Sequence, residues 1–237
     1  MDFRSIWAGA WGVPPSFDNP WTHNMNAFDE LYTEISVCTA CSLAKGRLKV
    51  VPGEGPPTAK IMFIGEAPGW HENQQGRPFV GPAGKFLNEL VESIGLSRSD
   101  VYICNVVKCR PPNNRDPLPD ELAACDPFLQ RQIALVKPRI IVTLGRYSMG
   151  KFFPGASISR IHGMPRRQNG IIYFPMYHPA AALHQPALRK IIEADMQKLV
   201  PLLAESEMSP VPNEAAVPTN PETHTPDGDE PTQLRLF

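Results

Sequence analysis

The sequence predicts an α/β fold, namely a three-layer α/β/α sandwich around a mostly parallel, four-stranded sheet. Four short apolar runs have the length and composition of strands that are buried on both faces. Segments with apolar residues at helical spacing lie between these runs. Strands that alternate with helices form parallel sheets, because each connecting helix packs on one face of the sheet.

The predicted elements follow one another along the central part of the chain. The strands are residues 60–64, 101–107, 139–145 and 171–177. Apolar residues recur every three or four positions in three segments, which predicts helices at residues 86–94, 120–136 and 188–200. Gly95 follows the first of these helices in the position of a helix stop.

The two ends of the chain differ from the rest in composition. Residues 1–35 contain three tryptophans among glycines and prolines, with no clear period, and we interpret them as an irregular extension packed on the body. Residues 205–231 alternate prolines with polar residues, which predicts a disordered acidic linker. The folded domain is therefore expected over residues 36–204, and residues 232–237 form a separate short segment.

The formal net charge of −1 conceals an uneven distribution of charge. Residues 205–237 hold seven acids and one base, so residues 1–204 carry 22 basic and 17 acidic side chains, a net charge of +5. A mildly basic body is compatible with nucleic-acid binding, but an ordinary solvated surface explains it equally well. No apolar run is long enough to span a membrane, and the first residues lack the pattern of a secretory signal. These features predict a cytoplasmic protein that does not bind membranes.

The most informative segment connects the first predicted strand to the first predicted helix. It contains GEAPG at residues 65–69 and GRPFVGPAG at residues 76–84, with five glycines in the two motifs together. The segment follows the carboxyl end of a strand, where open α/β sheets bind their ligands. Glycines there let the backbone approach a flat or anionic ligand closely. We therefore predict that this segment forms the floor of an active site.

Four of the five cysteines form a second pattern. Cys38 and Cys41 are a C-x-x-C pair, whereas Cys109 and Cys125 are single cysteines farther along the chain. A C-x-x-C turn can place two thiolates on one metal or cluster, and two further cysteines would complete four sulfur ligands. On spacing alone, an iron-sulfur cluster and a structural zinc are equally compatible, and free buried cysteines are a third interpretation. Cys104 lies inside the second predicted strand and is expected to be a core residue.

Taken together, these segments resemble the family 4 uracil-DNA glycosylases, the iron-sulfur members of the uracil-DNA glycosylase superfamily. The resemblance covers about residues 35–203, and its motifs agree in order and spacing. GEAPG is similar to the first active-site motif, GRPFVGPAG to the uracil-stacking segment, and NVVKCRPPNNRDPLPDE to the second strand with its loop. HPAAAL, at residues 178–183, is similar to the second active-site motif. The resemblance implies a [4Fe-4S] cluster held by Cys38, Cys41, Cys109 and Cys125.

The resemblance also implies a role for each residue of the site. Phe79 would stack on the flipped uracil, and Asn105 would read the N3 and O4 edge of the base. His178 would donate to the charge that develops on O2. Glu66 would act in its ionised form, positioning water and stabilising the positive sugar. The other expected substrate contacts are Gly65, Ala67 and Leu183, the last as a wedge that enters the duplex.

These residues have ordinary structural interpretations as well. Without the motifs, Phe79 would be interpreted as a core residue, Asn105 as the cap of a turn, and His178 as a structural histidine. Glu66 would be a partly buried carboxylate that accepts from a backbone amide. Ala67 occupies the place of the catalytic aspartate of the family 1 enzymes, so the group that activates water is not evident from the motif.

The activity that the resemblance implies is hydrolysis of the N-glycosidic bond of deoxyuridine in DNA, which leaves an abasic site. A related subfamily traps uracil covalently through a histidine in the loop after the second strand, but that loop here, residues 110–115, contains none. We therefore expect turnover by a monomeric, nucleoid-associated enzyme. The alternatives are a non-catalytic or covalent uracil-DNA-binding protein and, more distantly, a zinc-stabilised nucleotide-binding protein.

The last five residues, QLRLF, resemble the pentapeptide by which bacterial repair enzymes and polymerases bind the sliding clamp. Such a peptide combines one polar anchor with an apolar hook for a hydrophobic pocket, and the corresponding residues are Gln233, Leu234, Leu236 and Phe237. A flexible acidic linker would let this peptide reach away from a DNA-bound body. The alternative interpretation is a hydrophobic C-terminus without a partner.

Overall fold

The computed structural model describes residues 20–208, which form an α/β unit. Its strands are β1 (Ile61–Gly65), β2 (Tyr102–Asn105), β3 (Ile140–Leu144), β4 (Arg166–Gln168) and β5 (Ile171–Met176). Its α-helices are α1 (Pro20–Val37), α2 (Trp70–Gln75), α3 (Pro82–Ser93), α4 (Pro119–Val136), α5 (Arg146–Phe152), α6 (Ile158–Ile161), α7 (Pro179–His184), α8 (Ala187–Gln197) and α9 (Leu199–Met208). The fold class predicted from the sequence is confirmed.

The sheet is mostly parallel, with the strand order β2-β1-β3-β5-β4. β1 pairs in parallel with β2 and β3, and β3 pairs in parallel with β5, whereas β4 runs antiparallel to β5. The chain passes from β1 to β2 on one side and then returns to β3 on the other side of β1. Ligands of open α/β sheets bind outside the carboxyl ends of the strands at such a reversal, so a crevice is expected between β1 and β3.

Helices cover both faces of the sheet, because side chains alternate between the faces along each strand. Ile61 and Phe63 of β1 belong to a core cluster with residues of α3, α8 and α9. Met62 and Ile64 belong to a second cluster with residues of α1, α4 and α5. Cys104 lies fully buried in the second cluster, as expected for a core residue. The three predicted layers are therefore present.

The sheet contains one strand more than the four that the sequence predicts. β4 consists of two arginines and a glutamine, all exposed, so it lacks the apolar pattern of the other strands. It is joined to β5 by Asn169 and Gly170, whose φ angles are 54° and 76°. An Asn-Gly pair is the typical signal of a two-residue hairpin, and this signal could have predicted the strand.

The N-terminal segment is helical where we predicted an irregular extension. Within residues 1–35, the part from residue 20 onward belongs to α1. Phe28, Leu31 and Ile35 are buried at the three- and four-residue spacing of a helix. The period begins only after the stretch rich in tryptophan, glycine and proline, and that composition obscured it. Residues 1–19 lie outside the described residues.

The helical structure at the C-terminal end of the described residues extends past the predicted boundary. Two helices, α8 and α9, replace the single closing helix, and α9 continues to Met208. The predicted boundary after residue 204 therefore falls inside a helix. The rest of the predicted linker and residues 232–237, including Gln233, Leu234, Leu236 and Phe237, lie outside the described residues.

One edge of the sheet is covered by another backbone segment, and the other edge carries charged side chains. Beside β2, Glu54 forms an antiparallel bridge with Ile103, with backbone hydrogen bonds of 2.9 and 2.7 Å. At the other edge, Arg166 of β4 lies over the ring of Phe153, and Arg167 forms an ion pair with Glu205 of α9.

Within residues 20–208, none of the helices combines the length and the apolar character that crossing a bilayer requires.

Candidate active site

The carboxyl ends of the parallel strands bring the predicted site residues to one edge of the sheet. Gly65 of β1 pairs with Asn105 of β2, and β3 and β5 end level with them. Glu66 directly follows β1, and His178 is the second residue after β5. Residues that are separated by more than 100 positions in the sequence are thus neighbours at the crevice.

Gly65 allows three of these residues to approach one another. A Cβ atom at this position would lie 2.6 Å from Cζ of Phe79 and would also overlap Oδ1 of Asn105. The ring of Phe79 stacks on the imidazole of His178, with centroids 5.5 Å apart and an interplanar angle of 26°. Any side chain at Gly65 would push this arrangement apart, so the close approach requires glycine.

Asn105 has an unsatisfied acceptor at this point. Only 1% of the surface of Asn105 is exposed, and its Oδ1 is buried with no hydrogen-bond partner among the described residues. An unpaired buried polar atom costs about 1–3 kcal/mol, so it requires an explanation such as a missing ligand. Because this oxygen borders Gly65 and Phe79, it can accept a hydrogen bond from a planar ligand that reaches the Phe79 ring.

The tautomer of His178 is set by the backbone. His178 is the N-cap residue of α7, and its Nδ1 accepts a hydrogen bond from the N–H of Ala180 at 3.1 Å. Burial lowers the pKa of His178 to about 4, against the opposing effect of Glu72. The imidazole is therefore neutral near pH 7, and its proton is on Nε2 because Nδ1 is the acceptor. His178 can thus donate from Nε2 to a ligand without carrying a charge.

Glu66 is partly buried and has a raised pKa. Burial, with the nearby charge of Asp116, raises the pKa of Glu66 to about 7, and Arg146 opposes this rise. Asp116 and Arg146 also form an ion pair with each other. From the sequence we expect an ionised Glu66, whereas a pKa of about 7 leaves roughly half of the molecules ionised at neutral pH.

The two remaining substrate contacts predicted from the sequence lie in different surroundings. Leu183 is near the end of α7 with 48% of its surface exposed, so it can reach another molecule. The side chain of Ala67 packs against the apolar cluster that contains Cys109 and Cys125. Any contact of Ala67 with a ligand in the crevice therefore falls to its backbone.

Residues 52–202 match the family model described as the uracil DNA glycosylase superfamily. The chain belongs to this superfamily. It is 50% identical over 187 residues to the type 4 uracil-DNA glycosylase of Sulfurisphaera tokodaii. This alignment covers 74% of this chain and 84% of the relative. For the type 4 uracil-DNA glycosylase of Archaeoglobus fulgidus, identity is 43% over 192 residues, and the alignment covers 77% of this chain and 96% of the relative. The enzyme of the same type from Thermotoga maritima is 46% identical over 169 residues, with 69% and 88% covered.

Glu72, which the sequence analysis did not single out, connects the two glycine-rich motifs of this superfamily member. Its Oε1 accepts hydrogen bonds from the N–H groups of Val80 and Gly81, both at 2.9 Å. Its Oε2 accepts from the N–H of Gly69 at 3.1 Å. Glu72 is the third residue of α2, where a glutamate side chain can accept from the backbone N–H of the N-cap residue, here Gly69. Because Gly69 has no side chain, the usual capping-box pattern of Ser or Thr before the glutamate is absent, and the sequence carries no clear signal for this role.

Arg98 also binds the loop that carries Phe79. Its Nη1 donates to the carbonyl of Phe79 at 3.2 Å and its Nη2 to the carbonyl of Pro78 at 2.5 Å. Phe79 has a φ of 50°, in the left-handed region that a bulky residue rarely adopts. Such a conformation costs about 1–3 kcal/mol and persists only where the surroundings enforce it. We infer that Glu72 and Arg98 together hold the Phe79 ring in its stacking position.

Replacing Glu72 with glutamine is expected to lower the single-turnover rate of excision by about tenfold, as the loss of one charge-assisted hydrogen bond implies. Glutamine keeps one acceptor oxygen, but its amide group cannot accept from the backbone N–H groups that the second oxygen serves. Glu92→Gln, an exposed change on α3, is the matched control. Equal rates for both variants and the original protein would show that Glu72 does not position Phe79.

The four cysteines that the sequence predicts as ligands line one cavity of this superfamily member. They come from the segment after α1, the loop after β2 and helix α4, and they are Cys38, Cys41, Cys109 and Cys125. Three of the sulfurs accept hydrogen bonds, from the backbone N–H of Ala40 (3.5 Å), from Nη1 of Arg47 (3.4 Å) and from the backbone N–H of Lys108 (3.3 Å). Burial raises the pKa of Cys109, and it raises the pKa of Cys125 to about 11.

The chemistry of the cavity fits a group that is held by sulfur. Four cysteines that line one cavity supply the number of thiolates that a [4Fe-4S] cluster or a structural zinc takes. N–H groups are directed at three of the sulfurs, which stabilises thiolate ligands. The residues present therefore fit an iron-sulfur cluster.

Proposed function

We propose that this protein is a type 4 uracil-DNA glycosylase that flips uracil out of DNA and hydrolyses its N-glycosidic bond, leaving an abasic site. The observation that supports this most directly is the arrangement around Gly65. An aromatic ring, an unpaired buried amide oxygen and a neutral histidine meet there at the carboxyl ends of the strands. The relatives named as type 4 uracil-DNA glycosylases support the same activity.

Uracil recognition is assigned to Phe79 and Asn105. A flipped base stacks on the Phe79 ring, which is worth about 1–3 kcal/mol for base–aromatic contacts in general. Oδ1 of Asn105, which has no partner among the described residues, accepts from the N3–H of uracil, and the amide group donates to O4. Cytosine has a lone pair on N3 and an amino group on C4, so it places an acceptor against an acceptor and a donor against a donor.

Bond cleavage is assigned to His178 and Glu66. The bond between C1′ and N1 breaks with its electron pair going to uracil, and Nε2–H of His178 donates to O2 as negative charge develops there. Ionised Glu66 faces the positive sugar and orients a water molecule. The water oxygen then bonds to C1′ while its proton passes to Glu66. Leu183, exposed on α7, is assigned as the wedge that fills the gap in the duplex.

Incubation with an oligonucleotide that contains one uracil tests this function. We expect free uracil and an alkali-labile strand, and no product from the same oligonucleotide with cytosine or thymine in place of uracil. Asn105→Asp is expected to abolish this selectivity, because a carboxylate offers no donor to O4. Tight binding to the uracil oligonucleotide without release of uracil would instead support a non-catalytic binding protein.

The four cysteines are proposed as the ligands of a [4Fe-4S] cluster. Their common cavity and the hydrogen bonds to three sulfurs support this assignment. When bound, the cluster supplies a cross-link between the segment after α1, the loop after β2 and α4. Because the loop after β2 continues directly from Asn105, this cross-link would help to fix the position of the uracil-reading residue.

Protein purified without oxygen is expected to be brown and to contain several irons and sulfides per chain. Cys109→Ala should lower the yield of folded protein, because cofactor binding and folding are linked. Cys104→Ala, which changes a core cysteine of the adjacent strand, is the matched control and should retain its iron. Stoichiometric zinc without iron or sulfide would contradict the assignment.

We propose the C-terminal peptide as a binding segment for the bacterial sliding clamp, on the basis of its sequence alone. Deleting residues 233–237 is expected to abolish binding to the cognate clamp, measured by surface plasmon resonance. Excision from a short oligonucleotide should not change, since the active site lies within residues 65–183. A variant with the same five residues in scrambled order controls for length and composition. Unchanged clamp affinity in the truncated protein would refute the proposal.

A further inference from the structure

Lys108 is a fully buried lysine without an acidic partner. Only 1% of the surface of Lys108 is exposed, although lysine is almost never fully buried unless it is paired. Its Nζ donates to the backbone carbonyl of Asn105 and to Oε1 of Gln132, both at 2.6 Å. No carboxylate pairs with it in the part of the chain that the structure describes. Burying an ammonium group without a negative charge nearby is costly.

Lys108 borders the cysteine cavity. Lys108 lines this cavity, its own backbone N–H donates to Sγ of Cys125, and the next residue is Cys109. Arg47 is a second cation at the cavity, where its Nη1 donates to Sγ of Cys109 and to the carbonyl of Cys38. A cluster bound by four thiolates carries a net negative charge. Arg47 therefore meets such an anionic group directly, and Lys108 is a second basic residue in the lining of the same cavity.

The other end of Lys108 reaches the uracil-reading strand. The carbonyl that it holds belongs to Asn105, the last residue of β2. Gln132 is itself oriented, because its Nε2 donates to the carbonyl of Pro52 (2.7 Å) and to the hydroxyl of Tyr102 (3.0 Å). Its Oε1 is thereby directed at Lys108. The ammonium group thus connects helix α4 with the end of β2, while the backbone of the same residue borders the cavity.

We propose that Lys108 is a positioning residue that links the cofactor to uracil recognition. Its charge compensates the negative charge of the thiolate-bound cluster, and its hydrogen bond fixes the end of β2 from which Asn105 reads the base. This inference rests on the proposed [4Fe-4S] cofactor. Charge and hydrogen bonds around the sulfurs are among the factors that set the reduction potential and the stability of such clusters.

The test compares Lys108→Met with Lys85→Met, which removes the same charge from an exposed site on α3. Three quantities are measured on anaerobically purified protein, namely the iron and sulfide content, the rate of cluster loss to a chelator, and the reduction potential. Lys108→Met is expected to lose its cluster about tenfold faster, in line with other outer-shell partners of metal sites. Its potential should shift to a more negative value, because loss of a positive charge favours the oxidised form. Lys85→Met should match the original protein.

The possible outcomes separate the two proposals. If the original protein contains no iron, the cofactor assignment fails and this inference fails with it. If it contains the cluster but Lys108→Met has the same potential and rate of loss, the cofactor stands and the role of Lys108 is refuted.

If Lys108→Met does not fold, Gln132→Glu provides the decisive measurement. This variant places a carboxylate against the ammonium and keeps an acceptor for its hydrogen bond. It should shift the potential in the same negative direction. An unchanged potential in Gln132→Glu would overturn the inference.

Discussion

Replacing His178 with alanine is expected to slow single-turnover excision of uracil by about a hundredfold to a thousandfold. Removing a donor to a developing oxyanion typically raises the barrier by about 2.7–4 kcal/mol. The proposed donor is the Nε2–H of a neutral imidazole, since Nδ1 already accepts from the N–H of Ala180. A neutral donor acts mainly on the charge that forms during the reaction, so the affinity for uracil-containing DNA should change little.

The matched control for this prediction lies on the same short helix. His184→Ala changes an exposed histidine at the end of α7 and should leave the rate near that of the original protein. Rates are measured with enzyme in excess over a uracil-containing duplex, and binding is measured separately by fluorescence anisotropy. A near-normal rate for His178→Ala would show that another group stabilises the leaving base. Equal slowing in both variants would indicate damage to α7 and would contradict a specific role for His178.

The rate of excision is expected to rise with pH and to level off above about pH 7, with a tenfold fall for each pH unit below. The raised pKa of Glu66, about 7, causes this dependence, because in the proposed mechanism only the ionised carboxylate stabilises the positive sugar and orients water. His178 cannot cause it, since burial lowers the pKa of His178 to about 4. Glu66→Gln should be slower by about a hundredfold at high pH and should show no break near pH 7.

Single-turnover rates between about pH 5 and pH 9 provide the measurement, and Glu92→Gln, an exposed change, should keep the break. A break that persists in Glu66→Gln would assign it to another group.

The stability of the protein should change with pH in the direction opposite to the activity. The pKa of Glu66 rises from 4.5 to about 7 on folding, so the associated stability is present below pH 4.5 and is lost as the pH rises through 7. Maximal activity is therefore expected where burial of Glu66 costs most.

The sequence predicts those parts of the fold that local patterns specify. Strands buried on both faces form continuous apolar runs, so β1, β2, β3 and β5 could be recognised within one or two residues of their ends. β4 has no apolar pattern, because as an exposed edge strand it buries no side chain. It could have been identified only from the Asn-Gly turn that follows it.

The residues of the candidate site also fall into two groups, those that local motifs predict and those that only the fold brings into place. Motifs predicted Glu66, Asn105 and His178 as site residues, and the structure brings all three to one edge of the sheet. The residues that hold this edge were missed, because their role depends on contacts across the fold. Arg98 binds the carbonyls of Pro78 and Phe79, 20 and 19 residues away, and Lys108 binds Gln132, 24 residues away. No local spacing encodes such contacts.

The two edges of the sheet limit the ways in which other proteins can bind this domain. Many partners add a strand to an open edge through main-chain hydrogen bonds. Beside β2, the amide and carbonyl of Ile103 are already bonded to Glu54. At the far edge, three residues with two anchored arginines form a poor template for pairing. Copies of the domain crowded along one DNA molecule therefore have little tendency to join edge to edge through these strands.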